Sequence, residues 1–305
     1  MLPADLRAQL DTELGALARL DGIEGIAPDY LRFCEAVARS QAAARAAARA
    51  TISRGTSATT TMPPATRRLR RDLVALDERP LHDLLDDLVR AAHITAPDED
   101  PLRILADAAD EEPELLVQLA AAAVFDDDAG LPRGIAERLG LPAPALRFVG
   151  RLLAQPFVAE ARHRRGPIPE LDARNVDTPE AGRCPTCASP PALAVLCRDD
   201  GRRRLECGLC GDTWLVPRLM CVACGNRDQS RLATISAHGH DAYWVETCEA
   251  CRRYLKTVDE RRLPEDHILV LRAEEAASLL LDLLAEDAGY VRPDGYGSPL
   301  LEMTL

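Results

Sequence analysis

The fold turns on two consecutive stretches, CPTCASPPALAVLCRDDGRRRLECGLC (184–210) and CVACGNRDQSRLATISAHGHDAYWVETCEAC (221–251). Together they hold four Cys-x-x-Cys pairs: Cys184/Cys187, Cys207/Cys210, Cys221/Cys224 and Cys248/Cys251. Two residues between cysteines let both sulfurs of a tight turn face one ion, and two such knuckles complete a tetrahedral four-sulfur site. One pair alone could be a redox dithiol or a disulfide. Four pairs in so short a span point to metal.

The spacing also sorts the pairs. The segment starting at Cys184 is repeated from Cys221, each time as knuckle, strand, turn, strand, knuckle, strand. The turns fall at DDG (199–201) and HGH (238–240). The repeat therefore joins Cys184/Cys187 to Cys207/Cys210, and Cys221/Cys224 to Cys248/Cys251. The competing union of Cys207/Cys210 with Cys221/Cys224 breaks the repeat. Gly211 and Gly225 follow second cysteines, where a positive φ lets backbone N–H groups approach the sulfurs. Ala188 and Arg252 hold the equivalent places, so those two turns are expected to be strained or differently closed. Trp214 and Trp244 are expected in the small ribbon cores. Four thiolates suit zinc or iron equally in tetrahedral geometry, so the sulfur set leaves the metal open.

Outside the ribbons the chain reads as helical. Hydrophobic residues make up 47% of the 305 residues and aromatics only 4%, which suits an aliphatic helix core. Leu6, Leu10, Leu14 and Leu17 mark a first helix, and Asp29 caps a second that runs into QAAARAAARA. Residues 52–66 read as a loop. Further helices are expected from Thr66 (Leu69, Leu73, Leu76), from Pro80, at 101–109, 113–125, 132–139 and 143–164, the last kinked at Pro156. Residues 273–284 form one more amphipathic helix. The expected fold is thus mainly α: an N-terminal helical bundle (1–165), a linker (166–182), two tandem ribbons (183–219 and 220–263), and a C-terminal helix and tail (264–305).

Charge and composition narrow the function. The net charge is −12, the opposite of a nucleic-acid footprint. Between Gly182 and Leu263, thirteen Arg and Lys face ten Asp and Glu. RRR (202–204) is a local basic patch, read as a solvated hairpin face. MLPADLRAQL has no basic region leading into an apolar run, so no secretory signal is expected, and no apolar stretch is long enough to span a bilayer. Paired cysteines then belong in a reducing cytoplasm as metal thiolates. His82, His93 and His163 have no partner at ligand spacing, and His238 and His240 lie at a turn of a ribbon whose four cysteines already suffice. Cys34 reads as a core residue and Cys197 as a strand residue. No His/carboxylate pair, Ser triad or phosphate loop is present, so no catalytic residue is assigned.

CPTCASPP (184–191), RRLECGLCGDTWLVPRLMCVACGN (203–226) and ETCEACRRYLK (246–256) resemble the formate dehydrogenase accessory, or formation, protein family. APDYLRFCEAVARSQ (27–41) and AASLLLDLLAEDAGYVR (276–292) extend the resemblance weakly. It implies a helical N-terminal domain, two rubredoxin-like modules and a cytoplasmic, non-catalytic factor required for active formate dehydrogenase. It further implies contact with the catalytic subunit of that enzyme, and it favours iron over zinc at the eight knuckle cysteines. The family's usual glycine after the first knuckle is replaced here by Ala188. Two other functions fit the ribbons taken alone: a zinc-ribbon nucleic-acid binder, and an electron carrier or thiol oxidoreductase.

Overall fold

A computed structural model describes residues 2–23, 25–55, 69, 74–92, 101–125, 131–165 and 179–293. The chain divides into two compact units with the boundary between Pro167 and Ile168.

Seven helices build the described part of the first unit: α1 (Ala4–Ala18), α2 (Pro28–Gly55), α3 (Glu78–Ala92), α4 (Pro101–Glu111), α5 (Glu114–Phe125), α6 (Leu131–Leu139) and α7 (Ala143–Arg165). Their leucines close the core: Leu6 and Leu17 on α1, Leu81, Leu84, Leu85 and Leu88 on α3, Leu116 and Leu119 on α5 are all buried. Leu14 is only partly so. The expected loop at 52–66 begins late, because α2 continues through Ile52–Gly55. The helix expected from Thr66 falls largely outside the described residues, and residues 74–77 are not helical. Pro156 lies inside an unbroken α7.

The alanine–arginine run of α2 does more than favour helix. Arg45 and Arg49, four residues apart, lie on one face and both reach Glu160 of α7, at 3.1 and 2.8 Å. Arg49 also pairs with Asp5 of α1 at 2.9 Å, and Gln41 donates to the Leu152 carbonyl at 2.8 Å. Glu160 is almost wholly buried. Glu160→Gln keeps the shape but removes the charge facing two arginines, so it should cost the helical unit about 1–3 kcal/mol. Urea unfolding followed by far-ultraviolet circular dichroism measures this; an unchanged midpoint would contradict it.

The second unit contains a six-stranded sheet, so the chain is not plainly mainly helical. Strands β1 (Leu193–Leu196), β2 (Arg203–Glu206) and β3 (Thr213–Val216) come from the first ribbon. Strands β4 (Leu232–Ile235), β5 (Tyr243–Cys248) and β6 (Arg253–Asp259) come from the second. The two ribbon modules are joined edge to edge. They share one sheet in the order β3-β2-β1-β6-β5-β4, and the seam between them is a parallel pairing of β1 with β6, Leu193 opposite Lys256. All other neighbours are antiparallel.

Helices α8 (Leu271–Ala277) and α9 (Leu279–Asp287) follow. Leu281 and Ala285 of α9 pack with Val245, Tyr254 and Tyr290 on one face of the sheet. The single amphipathic helix expected here is broken at Ser278, where the backbone leaves helical geometry (φ −112°, ψ 20°); its N–H and its hydroxyl both donate to the Glu274 carbonyl, at 3.2 and 2.6 Å. The expected linker ends in structure. Pro179–Gly182 forms a 3-10 turn, and the Ala181 carbonyl accepts from Trp214 Nε1 at 3.0 Å. A Cβ at Gly182 would lie 1.8 Å from the Val222 carbonyl oxygen, so only glycine fits there.

Candidate metal centres

All eight knuckle cysteines come together in two sets, each with four sulfurs within 4.8 Å of one another: Cys184, Cys187, Cys207 and Cys210; then Cys221, Cys224, Cys248 and Cys251. The grouping is the one the internal repeat selects. Sulfur pairs lie at 3.5 Å (Cys184 to Cys210), 3.4 Å (Cys187 to Cys207), 3.6 Å (Cys221 to Cys251) and 3.9 Å (Cys224 to Cys248). A disulfide needs about 2 Å. A tetrahedron with metal–sulfur bonds of about 2.3 Å has edges near 3.8 Å, so the donor sets fit a tetrahedral ion. His238 and His240 belong to neither set. His82 and His163 likewise belong to neither set, and His93 lies outside the described residues.

The knuckles share one backbone design. The N–H of the residue after each second cysteine donates to the carbonyl of the first: Ala188 to Cys184 (2.9 Å), Gly211 to Cys207 (3.0 Å), Gly225 to Cys221 (2.8 Å), Arg252 to Cys248 (2.8 Å). The closing residue has positive φ in every case, at 62° for Ala188, 71° for Gly211, 76° for Gly225 and 56° for Arg252. Ala188 and Arg252 are therefore not closed differently; they adopt the glycine conformation with a side chain attached. An L-residue there costs roughly 1–2 kcal/mol. Ala188→Gly should raise the stability of the ribbon unit by about 1 kcal/mol. Arg252→Gly should not, because Arg252 holds Glu249 (2.7 Å) and the Ala288 carbonyl (2.7 Å) and lies 3.9 Å above the Tyr290 ring. Thermal unfolding of the two variants side by side decides this, and equal gains would contradict it.

The two centres differ in exposure. All four cysteines of the first are buried, whereas in the second Cys224 is exposed and Cys251 half-buried. In the first, the Thr186 hydroxyl of one knuckle bonds Asp212 beside the other, tying the halves together. Hydrogen bonds with Cys184, Cys207 and Cys210 hold the Cys187 thiol well below its usual value. Its neighbours are pushed up, Cys184 chiefly by the bond with Cys187 and Cys210 chiefly by the bond with Cys184. In the second set burial pushes Cys248 up, but the Cys251 and Ala250 backbone N–H groups outweigh it and hold Cys248 below the usual thiol value. Asn226 Nδ2 lies 3.8 Å from its sulfur. A divalent ion would bind all four sulfurs as thiolates and release the remaining protons.

The tryptophans divide. Trp214 is buried, while Trp244 is only partly covered, with the Arg262 guanidinium 5.8 Å from its ring centre. Cys34 is buried. Cys197 is half-buried beside Arg204 at 3.9 Å, and burial pushes its thiol up. The basic run is not a solvated face. Arg203 is buried against Glu246 and the Met220 carbonyl, and Arg204 lies 3.2 Å from Glu206 and 3.4 Å from Glu260. Only Arg202 of the three is exposed. Sequence reasoning missed this inward turn. The signal was present, since alternation along RRRLE places Arg203 and Leu205 on one face.

Comparison with known proteins adds a family to this geometry. Residues 219–300, which include the whole second sulfur set, match the family model described as FdhE, C-terminal domain. The likeness is to FdhE. A curated FdhE homolog of Aquifex aeolicus is 33% identical over 112 residues, covering 36% of this chain and 38% of that protein. One from Pseudomonas putida is 30% identical over 165 residues, covering 50% of this chain and 48% of that protein. The chain thus spans less than half the length of these FdhE relatives. The crystal structure of the FdhE protein from Pseudomonas aeruginosa aligns over 98% of both chains with a TM-score of 0.57 and 24% identity, a shared fold. No helix among the described residues is long and apolar enough to cross a membrane.

Proposed function

We propose that this chain is a non-catalytic accessory factor for formate dehydrogenase that holds two tetrahedral metal ions and binds the catalytic subunit of that enzyme. The coincidence of the FdhE match with an intact four-sulfur set carries the reading. The ligands are Cys184, Cys187, Cys207 and Cys210 at one ion and Cys221, Cys224, Cys248 and Cys251 at the other. The family resemblance favours iron, and zinc suits the same donors. Four cysteines leave no coordination position for water or substrate, which suits structural ions rather than a hydrolytic centre. Residues 183–219 and 220–263 act as one body in this reading, working in the cytoplasm. Deleting the gene in a host that makes formate dehydrogenase should abolish that activity, and the intact gene should restore it. Unchanged activity in the deletion strain would sink the proposal.

The exposure difference predicts how the ions leave. With excess chelator, metal release should be biphasic, about half in each phase, and the faster phase should come from the set containing Cys224. Cys224→Ser should abolish the fast phase alone; one uniform phase would contradict this. A second reading, electron transfer at iron, is favoured by the exposed Cys224. A visible charge-transfer spectrum bleached by reductant is its test, and a colourless zinc protein removes it.

A further inference from the structure

The helices α8 and α9 cover one face of the sheet; a cavity of roughly 230 Å³ opens on the second ribbon, over β4, β5 and β6. Its walls are mainly apolar, with Met220, Val222, Leu232 and Leu255, and two sulfurs of the second metal set, Cys221 and Cys248, also line it. Leu219 stands at its edge and is 52% exposed, one of few large apolar side chains so placed among the described residues.

The charge of the cavity is one-sided. Among the described residues, three arginines line it, Arg203, Arg218 and Arg253, against one carboxylate, Glu246. Arg218 and Arg253 donate to the Gly201 and Arg292 carbonyls, which are neutral groups, and among the described residues neither arginine has an ion pair. Arg203 is 2% exposed, and its Nε is buried with no hydrogen-bond partner. A buried, unpaired donor costs about 1–3 kcal/mol until an acceptor arrives.

Beside the cavity runs β4, an outer strand of the sheet. Its sequence, Leu-Ala-Thr-Ile, has no charge and no proline, the devices that usually guard an edge. The Glu249 N–H bonds the Arg231 carbonyl at 2.9 Å, so Arg231 and Glu249 form a hydrogen-bonded pair. Alternation along the register then makes Thr234 opposite Glu246 a non-bonded pair, and Thr234 turns its N–H and carbonyl away from β5.

We infer that this edge and cavity form the docking site for an extended segment of the formate dehydrogenase catalytic subunit, rich in apolar and acidic residues. The segment adds a strand to β4 through main-chain bonds at Thr234, places an apolar side chain in the cavity, and sets its carboxylates against Arg218 and Arg253. A small molecule within the cavity would leave the edge and Leu219 uncovered; a strand covers all three. The inference rests on the proposed partner and adds where and how it is held.

The test uses the full-length, metal-loaded protein and the purified catalytic subunit, with affinity measured by calorimetry. Thr234→Pro, which removes the outward N–H, and Leu219→Asp, which puts a like charge and no apolar surface at the lip, should each weaken binding at least tenfold. Thr234→Val should bind as the parent does, and backbone amide exchange at residues 232–235 should slow in the complex. Leu219 is exposed enough for its variant to fold if Thr234→Pro does not. Parent and both variants binding equally would overturn this inference and leave the accessory reading standing. A parent that does not bind the subunit would overturn both. Self-association that Thr234→Pro dissolves would assign the edge to a second copy and overturn the inference.

Discussion

Cys207→Ser should remove the fold of the whole C-terminal unit, not just one ion. Cys207 is completely buried in the first sulfur set. Beside it the apolar support is small: the buried cluster over the first ribbon is Leu193, Val195 and Val258, and the last of these belongs to the second ribbon. In zinc-finger peptides the ion contributes about 10–16 kcal/mol. That is as much as the entire stability of a typical domain, about 5–15 kcal/mol. The loss should therefore exceed what the residual packing can hold. Because β1 lies against β6, the damage should cross the seam into the second ribbon. Bound metal should fall from two ions per chain to one or fewer, and the near-ultraviolet signal of the tryptophans should collapse. Cys197→Ser, at a thiol in neither set, should keep both ions. A Cys207→Ser protein that retains two ions and its melting temperature would remove the four-sulfur assignment.

Asp282→Ala should be the most damaging change away from the cysteines. Asp282 of α9 has no exposed surface. It accepts from Lys256 Nζ at 2.6 Å, Tyr254 hydroxyl at 2.8 Å and Arg292 Nη1 at 3.4 Å. Lys256 lies in β6 and is itself buried, so removing the carboxylate leaves two cations facing each other across a closed interface. Breaking one side of such a pair costs about 3–5 kcal/mol. Glu275, 3.4 Å from Lys256 and 3.0 Å from Arg292, offsets part of that. Burial pushes the Asp282 carboxyl up, but Lys256 and Arg292 outweigh it and hold the group below its usual value. A carboxylate depressed in the folded state gives stability that is present above its unfolded value, near pH 4, and drains as pH falls through the folded value. Parent protein should therefore lose stability in acid more steeply than Asp282→Asn. Denaturant titrations at pH 7 and pH 3 test both claims; a variant equal to the parent at pH 7 would refute them.

What could be read in advance follows from how local each signal is. A Cys-x-x-Cys turn needs only four residues, and the repeat of knuckle and strand needs only one ribbon, so the sulfur grouping was visible in the sequence. The seam was not. Leu-Ala-Val-Leu at 193–196 is buried at every position, the mark of a strand flanked on both sides, and it could have warned that β1 is interior. Nothing in it names the partner. That partner, β6, contains Lys256 and Asp259, both buried, and charged residues in a short strand read naturally as solvent-facing. Their burial depends on partners elsewhere: Asp282 for Lys256, Arg261 for Asp259. Arg203 followed the same pattern. The C-terminal helix divides at Ser278 by a local change of backbone angles, which leucine periodicity does not register. The helical unit was legible by periodicity, except where α2 outran the apolar pattern into Ile52–Gly55 and where residues 74–77, Leu76 among them, are not helical.

The parallel seam also sets a timetable. Hairpin partners β1 and β2 are complete within a short length of chain, so the first ribbon can close around its ion as soon as Cys210 has been made. Its strand β1 must still wait for β6, roughly 60 residues later, before its second edge is covered. Until then a fully apolar strand lies open on a young ribbon, in a chain emerging at about 5–20 residues per second. The interval is therefore some seconds long, and it ends only when the second ribbon is finished. With the proposed ion in the first sulfur set, metal supply in that interval would decide whether the first ribbon waits folded or waits as an adhesive strand.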